Sequence, residues 1–555
     1  MSTNFKKYIF NYLKADTSRD FAIKIPAEKG IAFAKRIEDA VMKNKKITIY
    51  GDYDVDGILS TIFMYEMIRD FADINKKKPK ITFKIPSRAE HYGLKYDFFK
   101  MAIKKNDLMI TVDNGTHKDF FSKLSDDDKK KLLIVDHHPN GDFSSNKNVI
   151  NPNTDGSVAI STGILIDFIH QALRSIDKHY ANKRPQKYFR DLTAITLISD
   201  MANKNNKIVR SYIKDGLEVI KDKRRPIYDK MMPEWSDITS ENLAFGLIPK
   251  LNSIGRLGLD LDWILDVFLE TTDSKMVRDG ALKLEDTNEQ RKEITNYYAG
   301  VVEAKLKEQG VNLETTSLIY AHLDDVPIGI NGILAGLISQ RYKTNAFFTS
   351  INYGGDMKAV GSGRGDDIKR EMIRFVNEYP EVSEAISFGG HLKAIGLRTE
   401  NPDLLMEKSI EYGKTHRKNY KDESKHLVST KTISIKEYKK FCADYQGVCG
   451  VVPLSDSFFV KLNVLVLGFD EYRNDFVNIT CQDENGSLID FVAKKTDINL
   501  LSEDFMELAV EIKPSKNTNI TDGAVFTTVA NPNDFVLKEN LIEEISEEVE
   551  TKVAP

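Results

Sequence analysis

Short apolar runs that end abruptly in acidic or glycine-containing turns are the feature that most constrains this chain. Ile47 to Tyr50 leads into GDYDVDG, Leu108 to Val112 into DNGT, and Leu132 to Val135 into DHHP. Each run has the length of a strand, and Asp and Gly break it because both tolerate turn geometry. Apolar residues then recur at helical spacing, as Ile58, Ile62, Tyr65 and Ile68 in one segment and Ile164, Phe168, Ala172 and Ile176 in another. Strands alternating with helices predict an α/β fold with a mostly parallel sheet, whose ligands bind beyond the carboxyl ends of the strands. The acidic turns occupy those ends.

Farther along, Ser274 to about Glu308 is charged, contains few breakers and predicts one extended helix. A second mixed α/β region, Ser317 to about Arg398, holds GSGRG at 361–365 and FGGH at 388–391, glycine clusters that mark close backbone approaches. After a Lys-rich spacer near 414–426 the texture becomes alternating, in Phe458 to Phe469 and Phe476 to Thr480, and Asn485-Gly486 separates two runs as a hairpin turn would. A β-rich domain, with a barrel as one form of it, is expected there. Leu541, Ile542 and Ile545 give the Glu-rich end the spacing of a short helix, with a loose acidic tail as the alternative.

Composition limits the partners less than it first suggests. Lys and Arg total 79 against 83 Asp and Glu, a formal charge of -4. Residues 538–555 contain six Glu and two Lys, so the remainder carries 77 of each sign and lacks the basic excess typical of polyanion binders. Cys442, Cys449 and Cys481 are too few for a disulfide framework or a four-cysteine zinc site, which points to a reducing interior. The opening MSTNFKKYIFNYLKAD lacks a continuous apolar segment, and no stretch approaches ~18 apolar residues, so a cytoplasmic protein without membrane contact is expected.

The chemistry-bearing residues are Asp52, Asp54 and Asp56, then Asp113, then Asp136, His137 and His138, then Asp200. Each motif alone has a bland explanation: DYDVDG and DNG as turns, Asp200 as a helix cap, adjacent histidines as surface residues. Together they place carboxylates in one crevice, where mutual repulsion demands cations. Hard oxygen donors mixed with imidazole suit Mn²⁺ or Mg²⁺, with Mn²⁺ favoured where His takes part. Two such ions sharing a carboxylate would be suited to phosphoester hydrolysis.

The succession GDYDVDG, VDNGT, VDHH and LISDMAN resembles the DHH phosphoesterase superfamily, and the longer match is to its RecJ-like single-strand exonucleases. IPKLNSIGRLG at 248–258, LEDTNEQRKE at 284–293, GINGILAGLISQRY, GSGRG and FGGHLKAIGL are similar to successive motifs of that family, from about Lys46 to Leu397. The resemblance implies a DHH domain with N-terminal extension at 1–270, a connector helix at 271–310 and a DHH-associated substrate-binding domain at 311–415. A β-rich domain at 427–537, of oligonucleotide-binding barrel type, and an acidic tail at 538–555 complete the expected order. It implies Asp52, Asp54, Asp56, Asp113, His137 and Asp200 as metal ligands, with His138 close to the scissile phosphate. Asp136 is read as orienting an imidazole, with a purely structural acceptor as the alternative.

Ser362, Arg364, Gly389, Gly390 and His391 would offer a hydroxyl, a guanidinium, backbone N–H groups and an imidazole to phosphate oxygens, with Asn252 beside them. Arg256 is a phosphate or transition-state contact, since a guanidinium cannot coordinate a cation; an interdomain salt bridge competes with that role. Lys76 to Lys80 and Lys221 to Arg225 are candidate backbone-tracking runs, and Phe458, Phe459, Phe469, Tyr472 and Phe476 candidate stacking or core aromatics. The resemblance implies a 5′ to 3′ exonuclease on single-stranded DNA in repair, recombination or replication, with a single-strand-binding protein or helicase as candidate protein partners. The competing expectations are a phosphodiesterase of short oligonucleotides or cyclic dinucleotides, and an inactive scaffold that binds DNA or protein.

Overall fold

Five strands, β1 (Lys46–Tyr50), β2 (Lys80–Lys84), β3 (Leu108–Val112), β4 (Leu132–Val135) and β5 (Val149–Ile150), form an all-parallel sheet in the order β2-β1-β3-β4-β5. The computed structural model describes residues 25–530 apart from 91–92, 140–142, 144–145, 154–159, 223, 233–237, 354–357, 392, 418–424, 454–456, 474–475, 495–504, 513–524 and 527–528. β3 and β4 are buried along their whole length, as strands covered on both faces must be. The strand order reverses between β1 and β3. At such a switch point the loops leaving neighbouring strands part and a crevice opens at the carboxyl edge.

Helices α1 (Ala27–Met42), α2 (Val55–Ile74), α3 (Tyr96–Lys105), α4 (Thr162–Ile176) and α5 (Arg190–Ser199) cover this sheet. α2 is buried on nearly every side, from Val55, Ile58 and Leu59 to Met67 and Phe71, because it lies against the sheet and also packs on α4 and α5. The next helix, α6 (Ile248–Arg256), packs on α7 (Lys275–Glu308), a single helix of 34 residues. Ser274 caps α7 by accepting from the Val277 N–H at 3.3 Å. Its apolar stripe, Val277, Ala281, Leu284, Ala299, Val302 and Leu306, turns inward from an otherwise polar surface.

A mixed sheet follows, with β6 (Leu318–His322), β7 (Asn345–Ile351), β8 (Ala359–Arg364), β9 (Ile386–His391) and β10 (Ala394–Thr399) in the order β6-β7-β8-β10-β9. Helix α8 (Asn331–Tyr342) joins β6 to β7 and rests on α7. Both α/β regions and α7 therefore belong to one compact unit, Phe21–Asn203 with Ile208–Lys418. The expected borders at 270 and 310 are not breaks in packing, because α7 shares its apolar stripe with its neighbours.

The other unit, mainly Asn419–Pro555, is β-rich. It contains β11 (Lys425–Ile433), helix α9 (Ile435–Cys449), β12 (Ser457–Arg473), β13 (Phe476–Asp483), β14 (Leu488–Lys494), β15 (Met506–Glu511), β16 (Val525–Phe526) and β17 (Val529–Ala530). The strands run β16-β14-β13-β12-β15-β17. β16 pairs parallel with β14 and β17 antiparallel with β15, yet only two residues separate them in sequence. The two ends of the row thus meet in one segment, and the sheet closes as a small barrel. Asn485-Gly486 does form the β13–β14 turn, with Gly486 at φ 78°. The Glu-rich end with Leu541, Ile542 and Ile545 lies outside the described residues.

Candidate metal centre and its cleft

Loops leaving β1, β3 and β4 converge on the switch point with the end of α5. Asp54 caps α2, accepting from the Gly57 N–H at 3.0 Å. Gly57 has no room for a side chain, since a Cβ would lie 2.6 Å from the Asp52 Cβ and carbonyl oxygen. Asp56, one residue into α2, accepts from Ser60 Oγ at 3.0 Å and from the Thr162 and Gly163 N–H groups at 2.6 and 3.2 Å. The first turn of α4 is thus aimed at this carboxylate. Asp113 follows β3 in left-handed backbone, φ 64°, and accepts from Thr162 Oγ1 at 3.0 Å. Next to it, Asn114 bridges the two strand ends by donating to the Gly51 and Val112 carbonyls at 3.0 and 2.9 Å. Asp200 follows no strand; it is the C-terminal cap of α5, because the apolar run before it continues as helix.

His137 sits between the acids, its Nε2 2.9 Å from Asp200 Oδ2, 3.3 Å from Asp113 Oδ1 and 3.6 Å from Asp56 Oδ2. Three overlapping groups have ligating atoms within 4.8 Å of one another: Asp56, His137 and Asp200; Asp113, His137 and His138; Asp52, Asp54 and Asp113. Asp113 and His137 each belong to two of them.

Asp136 is placed differently from the other acids. Its Oδ1 accepts from the His137 and His138 N–H groups at 2.8 and 3.2 Å and lies 2.8 Å from His138 Nδ1; its Oδ2 takes the Thr116 N–H at 3.2 Å. These bonds orient His138 and leave Asp136 little capacity for a cation. Asn151 and Asn153, beyond β5, donate to the His138 and His137 carbonyls at 2.8 and 2.7 Å. Nothing in the sequence marked these two amides, since Asn-rich turns are common.

The centre is electrostatically incomplete. Asp52, Asp56 and Asp113 are at most 2% exposed, and burial pushes each carboxyl well above its ordinary range. Asp54, Asp200 and Asp56 respectively add repulsion. Burial alone would lower His137, but Asp200 and Asp113 hold it well above its usual value. Asp136 goes the other way: burial opposes ionisation, but His138 and Thr116 bring it below the usual carboxylate range. Asp52 Oδ1 is buried with no hydrogen-bond partner among the described residues. An orphaned carboxylate oxygen inside a cluster of acids and imidazoles fits a hard divalent cation such as Mn²⁺ or Mg²⁺.

Above the acids lies a cleft of about 260 Å³. Asp52, Asp54, His138 and Asp200 line one side, and Asn252, Arg256, Ser362 and Arg364 the other, joined by Arg88. Helix α6 reaches this position by close approach at Gly255, where a Cβ would lie 2.4 Å from the Tyr53 carbonyl oxygen. Arg256 donates to the Gly329 carbonyl at 3.1 Å, Arg364 to that of Gly363 at 2.8 Å, and Arg88 lies 4.1 Å over the Tyr53 ring. None of the three forms a salt bridge with a carboxylate among the described residues. Burial first, then the neighbouring Arg88 and Arg364, lower the Arg256 guanidinium to about 9. The interdomain salt bridge considered for Arg256 is therefore absent among the described residues. Arg88 escaped sequence reading because a lone arginine in SRAEHYGL has no pattern.

Other expectations are relocated. Residues 361–364 of GSGRG lie on strand β8, and Ser362 and Arg364 reach the cleft from that strand. Gly389 and Gly390 lie on edge strand β9, beyond β10 from β8, and are not among the lining residues; the His391 side chain is outside the described residues. In the 221–225 run, Arg225 is buried against Glu66 and Asp191 at 2.6 and 2.7 Å and Arg224 pairs with Asp191 at 3.1 Å, so these two arginines hold the fold. Lys76 to Lys80 lie at the amino edge of the sheet, where Lys80 pairs in register with Lys46, opposite the acidic loops. Phe458 and Phe459 are fully buried in the barrel unit, which makes them core; the side chains of Phe469, Tyr472 and Phe476 lie outside the described residues. No helix among the described residues is long and apolar enough to cross a membrane.

Residues 46–197 match the model of the DHH family, N-terminal domain. The chain is 25% identical over 389 residues to the single-stranded-DNA-specific exonuclease RecJ of Bacillus subtilis, covering 67% of this chain and 46% of that protein. It is 26% identical over 397 residues to the Haemophilus influenzae protein of the same name, covering 65% and 64%. The chain thus spans about half to two thirds of the length of these relatives. Among solved structures, RecJ of Thermus thermophilus in complex with Mn²⁺ superposes with a TM-score of 0.66 at 17% identity, over 91% of this chain and 72% of that one. An exonuclease RecJ bound to manganese gives a TM-score of 0.55 at 21% identity, over 69% and 94%. The acidic centre thus lies on the segment that matches the DHH N-terminal domain, and the chain is similar to RecJ over about two thirds of its length and shares the fold of these structures.

Proposed function

We propose that this chain is a divalent-metal-dependent exonuclease that hydrolyses single-stranded DNA from the 5′ end, releasing 5′ mononucleotides in repair, recombination or replication. The observation that carries this reading is a cluster of buried acids and imidazoles opening directly into a cleft lined by three guanidiniums that form no salt bridge among the described residues. The relatives named as single-stranded-DNA-specific exonucleases support the substrate class.

Asp52, Asp54, Asp56, Asp113, His137 and Asp200 would hold two cations, Mn²⁺ in preference to Mg²⁺. Bound there, the cations would supply activation of a water and neutralisation of charge developing on the phosphate. Asp113, whose carboxylate belongs to two of the ligand groups, would be available to both cations, and His137 would ligate through Nε2. Asp136 fixes His138 through Nδ1, so Nε2 is the ring nitrogen that addresses the reacting phosphate.

Arg88, Arg256 and Arg364, with Asn252 and Ser362, bind phosphate oxygens. The guanidiniums repel one another, and a dianionic terminal phosphate relieves that repulsion better than an internal diester, which favours a 5′ end at this point. Gly389, Gly390 and His391 hold the terminal nucleotide from β9. Single strands labelled at either end, as DNA and as RNA, with Mn²⁺ and with Mg²⁺, test the proposal. Release of the 5′ label as mononucleotide before any 3′ label is expected from DNA. Release from the 3′ end first, or cleavage of dinucleotides alone, would defeat it.

A further inference from the structure

Among the described residues, the two most exposed large apolar side chains are Met201, 87% exposed, and Phe245, 83% exposed. Both belong to segments that build the cleft. Met201 directly follows Asp200, in left-handed backbone at φ 52°. Phe245 sits in a π-helical turn, Leu243–Leu247, that runs unbroken into α6 and packs on α5, the helix that delivers Ser199 and Asp200. Leu243 and Leu247 are fully buried and anchor the inner face of the turn, so the fold holds Phe245 outward on a fixed support. Such widened turns interrupt α-helices frequently at functional places.

The helical count relates Phe245 to the cleft. Asn252 is seven residues farther on and Arg256 eleven, so all three share one side of the helix to within about a quarter turn. Asn252 and Arg256 line the cleft. At ~1.5 Å per residue, Phe245 stands ~10 Å from the first and ~16 Å from the second along the helix axis.

We infer that Phe245 is a stacking platform for a nucleobase of the substrate strand where it leaves the cleft, with Met201 as an apolar contact nearer the acids. This rests on the single-strand nuclease reading above. A phenyl ring left in water gains by receiving the π-face of a base, and such stacking tolerates any sequence. At ~3.4 Å per stacked nucleotide, ~16 Å corresponds to the fourth or fifth nucleotide from the phosphate held by Arg256. A base paired in a duplex cannot splay onto the ring, so the contact also discriminates in favour of single strands.

The test compares an oligothymidylate of about twelve residues with a thymidine dinucleotide, too short to reach Phe245, for the wild type, Phe245→Ala and Phe245→Trp. Phe245→Ala is expected to raise KM for the long strand about 5- to 50-fold with kcat little changed, lowering the long-to-short ratio of kcat/KM by that factor. Phe245→Trp is expected to keep the ratio. Abasic residues at the fourth and fifth positions should impose the same loss on the wild type and none further on Phe245→Ala. An unchanged KM in Phe245→Ala, equal losses in Ala and Trp variants, or an additive abasic effect would overturn the inference. If the wild type cleaves neither substrate, the nuclease reading fails; fluorescence anisotropy of the labelled long strand still decides the platform, which equal Kd values for wild type and Phe245→Ala would refute.

Discussion

Helix α2 carries carboxylates at both ends, and the chain treats them in opposite ways. At the far end, Glu66 is paired with Arg225 at 2.6 Å and Asp70 with Arg184; on the adjoining α5, Asp191 receives Arg225 and Arg224. At the near end, Asp54 and Asp56 face Asp113 and Asp200 with His137 between them. Asp191 and Asp113 are both 1% exposed, yet Asp191 is held below the ordinary carboxylate range and Asp113 well above it. Burial opposes ionisation in both, and the difference lies in the two arginines beside Asp191. Where arginines stand beside the acids the cluster fastens helices; where acids face one another around an imidazole, the donor set suits a cation.

Breaking one member of each cluster separates these roles. Asp113→Asn is expected to lower hydrolysis roughly 10³-fold or more, measured by steady-state kinetics on single strands. In chelator its melting temperature should equal or exceed that of the wild type, because a buried carboxyl whose ionisation burial and Asp56 oppose gives way to a neutral amide. Asparagine is the appropriate replacement, since it tolerates the left-handed backbone at φ 64° and alanine does not. Arg225→Met has the reverse profile: it strands Glu66 and Asp191, and urea unfolding should show a loss of about 3–5 kcal/mol. Its Mn²⁺ affinity should remain that of the wild type.

The two clusters also differ in the sign of their pH dependence. In metal-free folded protein, Asp52, Asp56, Asp113 and His137 hold protons that the unfolded chain releases above about 3.9 for Asp and about 6.5 for His. Their contribution is full below those values and is lost as pH rises through the raised folded values. The metal-free melting temperature should therefore fall as pH climbs past about 6.5. Asp191, held low, contributes above about 3.9 and loses its contribution as pH falls through its lowered value. Mn²⁺ competes with the bound protons, so the melting shift it causes should grow with pH, reaching about 2.7 kcal/mol of stabilisation at one hundred times Kd. A melting shift independent of pH would contradict the assignment.

The smallest expected effect concerns the cleft wall. Arg364→Gln should reduce the preference for a 5′-phosphorylated over a 5′-hydroxyl strand about tenfold, read as a ratio of KM values.

Much of the first sheet was visible in the sequence because β1, β3 and β4 are apolar runs with an abrupt polar stop, the mark of central parallel strands. β2, an edge strand with Lys at both ends, and β5, two residues long, carry no such mark. The acids were legible as motifs because cation chemistry restricts residue type. Their supports were not: Thr162, Asn114, Asn151 and Asn153 act through ordinary hydrogen bonds that many polar residues could make elsewhere. Arg224 and Arg225 looked like a strand-tracking run because sequence shows charge but not burial. Arg88 became part of the site only when the fold placed it beside Arg256 and Arg364.

Calorimetric titration of Mn²⁺ into the metal-free wild type, Asp113→Asn and Arg225→Met most directly tests whether the uncompensated cluster is a cation site. Two equivalents are expected to bind the wild type and Arg225→Met alike, and Asp113→Asn should lose one or both. No binding to the wild type, or the same isotherm in Asp113→Asn, would contradict it.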